Sequence, residues 1–197
     1  PVLYPEGWHN QYDYFGKYIL HSLTLDEQDM VKRAVKQGID QGVVVRQPSA
    51  VVEYERKIDI TEDIHFTVKI DYAYDWTIED HKSCNSFKYT LVEDPKHKRY
   101  IGNDPQLLTY AYWWCKEREE QGHTIPEYIE LVHNQFCLAP NMLKNGKPVV
   151  RKISTKVKFS KCVAEWEKTK KAILEQLDIR KRYHTGEINE HKLERNH

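Results

Sequence analysis

The chain has 197 residues, a length that suits one domain with a full hydrophobic core. Thirty Lys and Arg side chains balance 30 Asp and Glu side chains, so the net charge by itself indicates no nucleic-acid partner. The four cysteines have no CxxC spacing, which argues against a zinc ribbon or an iron–sulfur cluster, and no apolar run approaches the roughly 20 residues of a membrane-spanning helix. We expect a cytoplasmic protein with reduced thiols and no membrane partner.

Three predicted helices each begin at a residue that can cap a helix. Thr24, Asp104 and Ser160 carry side-chain oxygens that can accept hydrogen bonds from the free N–H groups of a first turn. Pro105 follows Asp104 at the first helical position, where its missing N–H removes no bond. The helices are predicted from Thr24 to about Gly42, from Asp104 to about Gly122 and from Ser160 to about Arg182.

Between the helices, β-branched and aromatic residues alternate with polar ones, which is typical of β-strands. The predicted strands are Val43–Arg46, Val51–Ile60, His65–Tyr74, Thr77–Lys82, Tyr128–Leu138 and Val149–Phe159. Ser83–Asn103 is a polar connection long enough to suggest a functional loop. The pattern predicts one α/β domain over residues 1–197, with its core at about 24–182 and a polar tail at 184–197.

Asp71 and Asp80 carry the most specific chemistry in the chain. The connection after Tyr74 is short enough for the two strands to pair, and pairing would bring Asp71 alongside Asp80. Lys82 points the same way as Asp80, because side chains i and i+2 share a face of a strand. The two carboxylates, the backbone carbonyl of His81 and water would form the oxygen site that Mg²⁺ or Mn²⁺ prefers. Metal-assisted phosphodiester hydrolysis needs this equipment, with the lysine beside the scissile phosphate.

A further motif follows on the second predicted helix. Gln106 and Tyr110 are four residues apart, so they share one helix face near its N-terminal turn. With Asp71 and the Asp80–Lys82 run, they make the chain resemble the PD-(D/E)XK nuclease superfamily, and most closely its RecB-type branch. That branch carries an aspartate, then D-x-K on the next strand, then Q-x-x-x-Y on a helix. Tyr100–Leu107 is similar to the lead-in of phage and prophage exonuclease-like members.

The resemblance implies a restriction-endonuclease-like core, in which helices flank a central mixed β-sheet in the order α-βββ-α-β. An extra strand and a C-terminal helix would follow here. It also implies a Mg²⁺- or Mn²⁺-dependent DNase, commonly an exonuclease in recombination or end processing, in a bacterial or phage-infected cell. The site residues that it implies are Asp71, Asp80, His81 through its carbonyl, Lys82, Gln106 and Tyr110.

Further metal ligands stay open. RecB-type members often add an upstream histidine after a glycine, and Gly7-Trp8-His9 matches this best, with His21 as the second choice. Glu55, on the preceding strand, is another candidate for the metal or for a supporting position, and Glu27 is a weaker one. The chain departs from the family at Val68-Lys69, where members often carry a glycine.

Basic residues concentrate in the C-terminal third of the chain. Between Met142 and Tyr183, thirteen Lys and Arg side chains stand against four Asp and Glu side chains. A phosphate backbone can use this excess, although a solvated helix face shows the same composition. We expect DNA ends, bound through backbone contacts independent of sequence, and a homo-oligomer or recombination protein as a further partner. The predicted phosphate contacts are Lys152, Lys156, Lys158 and Lys161.

Several functions stay open on the sequence. The predicted activity is a DNA exonuclease, and the alternative is a structure-specific or nicking endonuclease. A nucleic-acid-binding module on a scaffold that no longer cleaves is less favoured, because Asp71, Asp80 and Lys82 are all present. A non-nucleolytic metal hydrolase built on His9, His21 or His133 is also less favoured, because no HExxH spacing exists.

Overall fold

The structure is a computed structural model that describes residues 24–43, 47–84, 86–137 and 150–187, with no account of the side chains of Glu27, Met30 and Tyr89. The proposed ligands His9, His21 and Glu27, and all of the predicted strand Val43–Arg46 except its first residue, therefore lie outside the description. The elements are α1 (Leu25–Asp40), β1 (Val51–Thr61), β2 (Ile64–Tyr74), β3 (Thr77–Cys84), α2 (Pro105–Glu120), β4 (Tyr128–Cys137), β5 (Val150–Lys158) and α3 (Phe159–His184).

The strands form one five-stranded mixed sheet in the order β1-β2-β3-β4-β5. β2 pairs antiparallel with both β1 and β3. Contacts between β3 and β4 keep a constant offset of 53 residues, from Thr77 to Glu130 and from His81 to Asn134. A constant offset means that these two strands are parallel, as a crossover through α2 requires. The predicted α/β class with a mixed sheet is confirmed.

The start of α2 shows why local signals predicted its position correctly. The Asp104 side chain accepts a hydrogen bond from the Leu107 N–H at 2.9 Å, and Pro105 occupies the first helical position. At the other end, Gly122 adopts a φ of 89°, a left-handed conformation that stops the helix and suits glycine. Both ends of α2 are therefore set by residues adjacent in sequence.

The start of α3 was predicted wrongly, because packing decides it. The helix begins at Phe159 with Lys158 at the N-cap position, so Ser160 lies inside the first turn. The Phe159 N–H donates to the Glu127 carbonyl at 2.8 Å, and the Phe159 ring stacks on Tyr112 at 6.1 Å between centroids. These contacts stabilise the earlier start, although Lys158 supplies no side-chain capping bond.

The chain divides into two compact units, and three of the strands contribute to both of them. Within the larger unit, α2 packs on β2 and on α3. The larger unit comprises the described parts of 47–80, 91–133 and 153–197, and the smaller one those of 1–46, 81–90 and 134–152. The predicted single domain stays a prediction. Within the described ranges, no helix is long and apolar enough to cross a membrane.

Candidate active site

Asp71 and Asp80 lie on the hairpin formed by β2 and β3 in the larger unit. Its turn is two residues long and includes Asp75, which has a φ of 42°. The strands pair Tyr72 with Glu79 and then continue toward the turn. The last pair on this side is Tyr72 with Glu79, and one more residue of the same register would place Asp71 across from Asp80. The facing of these two acids, nine residues apart in sequence, stays a prediction.

Asp80 is buried, with 3% of its surface exposed, and it lies beside a buried histidine. His133 Nε2 is 3.5 Å from Asp80 Oδ2, and this histidine is 6% exposed. The contact follows from the parallel pairing of β3 with β4, which brings together residues 53 apart. Burial of a carboxylate is costly unless a charge, a hydrogen bond or a metal compensates it, so His133 is part of the environment that holds Asp80 in place.

His133 is the residue that sequence reasoning missed in this role. The sequence suggests His133 only as part of an unrelated histidine-based hydrolase. Its one sequence signal is its place in the β4 segment, as the sixth residue of the strand. Only the strand register shows that this position adjoins Asp80, because periodicity predicts strands and not their neighbours.

The surroundings of Asp71 are irregular. The neighbouring pairs Val52↔Tyr72 and Tyr54↔Ile70 leave Glu53 across from Asp71. Glu53 has a φ of 52°, which is uncommon for a residue other than glycine. On β2, the alternation of buried and exposed residues breaks at Asp71, because Ile70 and Ala73 are three residues apart and both fully buried.

Glu53 and Glu55 lie at different distances along β1 from the position opposite Asp71. Glu53 Oε2 lies 2.9 Å from the Lys69 ammonium, and this hydrogen bond is the main cause that raises the pKa of Lys69. Glu55 is exposed and lies across from Lys69, two positions away along the strand from the place opposite Asp71. Of the two glutamates, the register places Glu53 nearer to Asp71.

His81 and Lys82 continue β3 into the smaller unit, and both are exposed. The His81 ring nitrogen Nε2 is 3.2 Å from the Asn134 amide nitrogen, and the ring is 6.1 Å from that of Phe136. Lys82 lies two positions after Asp80 on β3, and its placement on the same side of the strand stays a prediction.

Gln106 and Tyr110 on α2 are joined by a hydrogen bond between their side chains. Gln106 Nε2 donates to the Tyr110 hydroxyl at 2.7 Å, so the two residues share one face of α2 as predicted. Tyr110 is half-buried against the core, whereas Gln106 is exposed. The pair lies in the first turns of α2, where free N–H groups and the helix dipole favour an anion.

Three of the four predicted phosphate contacts lie together in the larger unit. Lys156, Lys158 and Lys161 line a depression of about 380 Å³ with Tyr100 and Tyr128, and we call these five residues the lysine–tyrosine groove. The fourth predicted contact, Lys152, is exposed on β5 in the smaller unit.

Comparisons of the chain with protein-family models, with curated proteins and with solved structures return no match. The fit of a metal therefore rests on the donor atoms. In the part of the chain that the structure describes, no three His, Cys, Asp or Glu side chains converge as a metal-binding group. Mg²⁺ is commonly held by one or two carboxylates and several waters, so Asp71 and Asp80 fit an ion of this kind.

Proposed function

We propose that the protein is a divalent-metal-dependent DNA nuclease with a restriction-endonuclease-like core. The observation that supports this most is the antiparallel pairing of β2 with β3, whose last pair, Tyr72 with Glu79, directly adjoins Asp71 and Asp80. One of these acids is buried beside His133, whereas the other is partly exposed. A carboxylate pair of this kind, next to a lysine on the same strand, suits an ion that must contact both protein and phosphate.

The bound Mg²⁺ or Mn²⁺ would lower the pKa of a water and offset charge on the scissile phosphate. Asp71 and Asp80 would hold the ion, and His133 would fix the orientation of the Asp80 carboxylate. Lys82 would stabilise negative charge that develops on the phosphate. Gln106 and Tyr110, joined by their hydrogen bond, would orient the substrate at the start of α2.

The resemblance to RecB-type nucleases favours an exonuclease that acts at DNA ends. A structure-specific or nicking endonuclease would use the same residues, and the chemistry of the acids does not separate the two. The topology of the substrate does separate them, because a closed circle has no end.

The decisive experiment measures degradation of end-labelled linear DNA and closed circular DNA, each single- and double-stranded. Reactions contain Mg²⁺, Mn²⁺ or EDTA, and they compare the wild type with Lys82→Ala and with Asp75→Asn. Asp75→Asn is a matched control, because this exposed turn residue has a positive φ that asparagine adopts readily. We expect metal-dependent loss of linear DNA, abolished only by Lys82→Ala.

The other outcomes are equally informative. Cutting of circles by the wild type, lost in Lys82→Ala, would identify an endonuclease with the same site. Cleavage that persists in Lys82→Ala would place the chemistry elsewhere. No cleavage of any substrate by the wild type would overturn the proposal in favour of a non-cleaving binding module.

A further inference from the structure

We propose that the lysine–tyrosine groove binds single-stranded nucleic acid, with lysines on the phosphates and a tyrosine stacked on a base. This inference rests on the proposed function, since it names the form of DNA that this surface accepts. The groove lies at the end of β5 and the start of α3, in the larger unit, and does not include the candidate metal ligands.

The charge of the groove supports an anionic ligand. Lys158 and Lys161 lie at the positive end of a 26-residue helix whose first turn contains no acidic residue. Cations at this end are unfavourable for the helix itself, because they add to the positive dipole. Within the described part of the chain, the ion pair seen on the groove lysines joins Lys158 to Glu127 at 3.1 Å, so positive charge remains in excess.

The two tyrosines differ in how they are held. The Tyr100 hydroxyl is 2.7 Å from Thr155 Oγ1, which fixes its ring on one wall. Tyr128 is 48% exposed, although it stands at the first position of a strand. An exposed aromatic ring beside cationic side chains is the usual platform for an unpaired base.

The lysines and tyrosines also contact one another. The Lys158 ammonium lies 5.8 Å from the centre of the Tyr128 ring, and the Lys161 ammonium lies 5.9 Å from that of Tyr100. Lys161 further donates to Asn103 Oδ1 at 2.6 Å. These contacts orient the side chains before a ligand arrives, which lowers the entropy lost on binding.

The exposed ring of Tyr128 favours one strand over two. The depression beside it has a volume of about 380 Å³, in the range of sites that hold a small ligand such as a nucleotide unit. Stacking on Tyr128 also requires a base that is not covered by its neighbours. We therefore infer an unpaired segment, such as the frayed end or the product strand of a nuclease substrate.

The first test measures fluorescence anisotropy of a labelled oligothymidylate and of a duplex of the same length, in EDTA so that nothing is cleaved. We expect Tyr128→Ala to weaken single-strand binding roughly 5- to 150-fold, the range for loss of stacking on one base. Tyr128→Phe should keep the affinity, because the ring remains. Duplex binding should change with neither variant. Unaltered single-strand binding by Tyr128→Ala would overturn the inference.

The second test removes the lysines. Replacing Lys156, Lys158 and Lys161 together by alanine should lower the slope of log affinity against log salt by about 0.7 per lysine. The control variant replaces Lys57, Lys170 and Lys171, which are exposed and make the same change in net charge. An equal loss of this slope in the control variant would show that the groove is not the binding site. Competition by polyglutamate at the same charge concentration would overturn it too, in favour of an acidic protein partner.

Failure of this inference and failure of the proposed function are distinguishable. If the wild type cleaves no DNA but Tyr128→Ala loses single-strand binding, the groove inference stands and the nuclease proposal fails. If the wild type cleaves and the Tyr128 and triple-lysine variants bind single strands as it does, only the groove inference fails.

Discussion

The acid pair and the lysine–tyrosine groove handle charge in opposite ways. Asp80 is a buried carboxylate on a central strand, held beside His133, whereas the groove lysines lie at the surface around an exposed tyrosine. Buried charge tolerates few arrangements, because every missing partner is costly. Exposed charges attract a ligand through their total, and this attraction depends little on the exact position of each residue. The first arrangement suits a specific chemical step, and the second suits sequence-independent binding.

The strongest test of this comparison separates binding from cleavage. Asp80→Asn should lower cleavage by about a thousandfold or more, because it removes several kcal/mol of metal-based stabilisation. Calorimetric titration with Mn²⁺ should show weakened metal binding, while oligonucleotide affinity in EDTA stays at the wild-type level. Cleavage that survives this change would show that the ion is held elsewhere.

A smaller effect is expected from the neighbour of Asp80. His133→Asn should weaken Mn²⁺ binding about 10- to 100-fold, as is usual when a group that orients a metal ligand is lost. Titration calorimetry measures this loss directly, and circular dichroism checks that the sheet is intact. A folded variant with wild-type Mn²⁺ affinity would show that His133 has a structural role and does not orient a metal ligand.

The role of the groove in binding can also be tested with a variant that should gain affinity for single strands. Glu127→Gln removes the carboxylate that pairs with Lys158. We expect single-strand affinity to rise by at most about fivefold, since an exposed ion pair contributes 0–1 kcal/mol. Glu187→Gln, an exposed acid at the far end of α3, is the control. A fall in affinity would mean that Glu127 orients the lysine and does not compete for it.

The smallest functional effect is expected at the end of the hairpin. The Tyr74 hydroxyl donates to the buried Glu79 at 3.1 Å, and burial followed by the charge of Glu79 raises the pKa of Tyr74 to about 12. Because this pKa lies above the usual value near 10, the stabilisation is present below pH 10 and disappears between pH 10 and about 12.

Tyr74→Phe should therefore cost about 1 kcal/mol of unfolding free energy at neutral pH and leave Mn²⁺ binding unchanged. Urea denaturation measures the first quantity, and calorimetry the second. The difference between the two proteins should narrow above pH 10. Loss of metal binding in this variant would show that the Tyr74–Glu79 contact also stabilises the acid pair.

Much of the fold was predictable because its signals are local. Asp104 with Pro105 marked the start of α2, and alternating residues marked β2 and β3 within one or two residues of their observed ends. The short turn after Tyr74 even predicted which strands pair. The start of α3 was predicted wrongly, because the Phe159 contacts that decide it come from Tyr112 and Glu127, more than 30 residues away.

The sequence by itself determined the order of the elements, the pairing of β2 with β3, and the Gln106–Tyr110 pair on one helix face. Each of these depends on spacing within about ten residues. Only the tertiary structure decided that Asp80 is buried beside His133, that Glu53 lies across from Asp71, and that three lysines meet two tyrosines in one groove. The physical reason is that strand pairing across long connections joins residues whose proximity no local periodicity encodes.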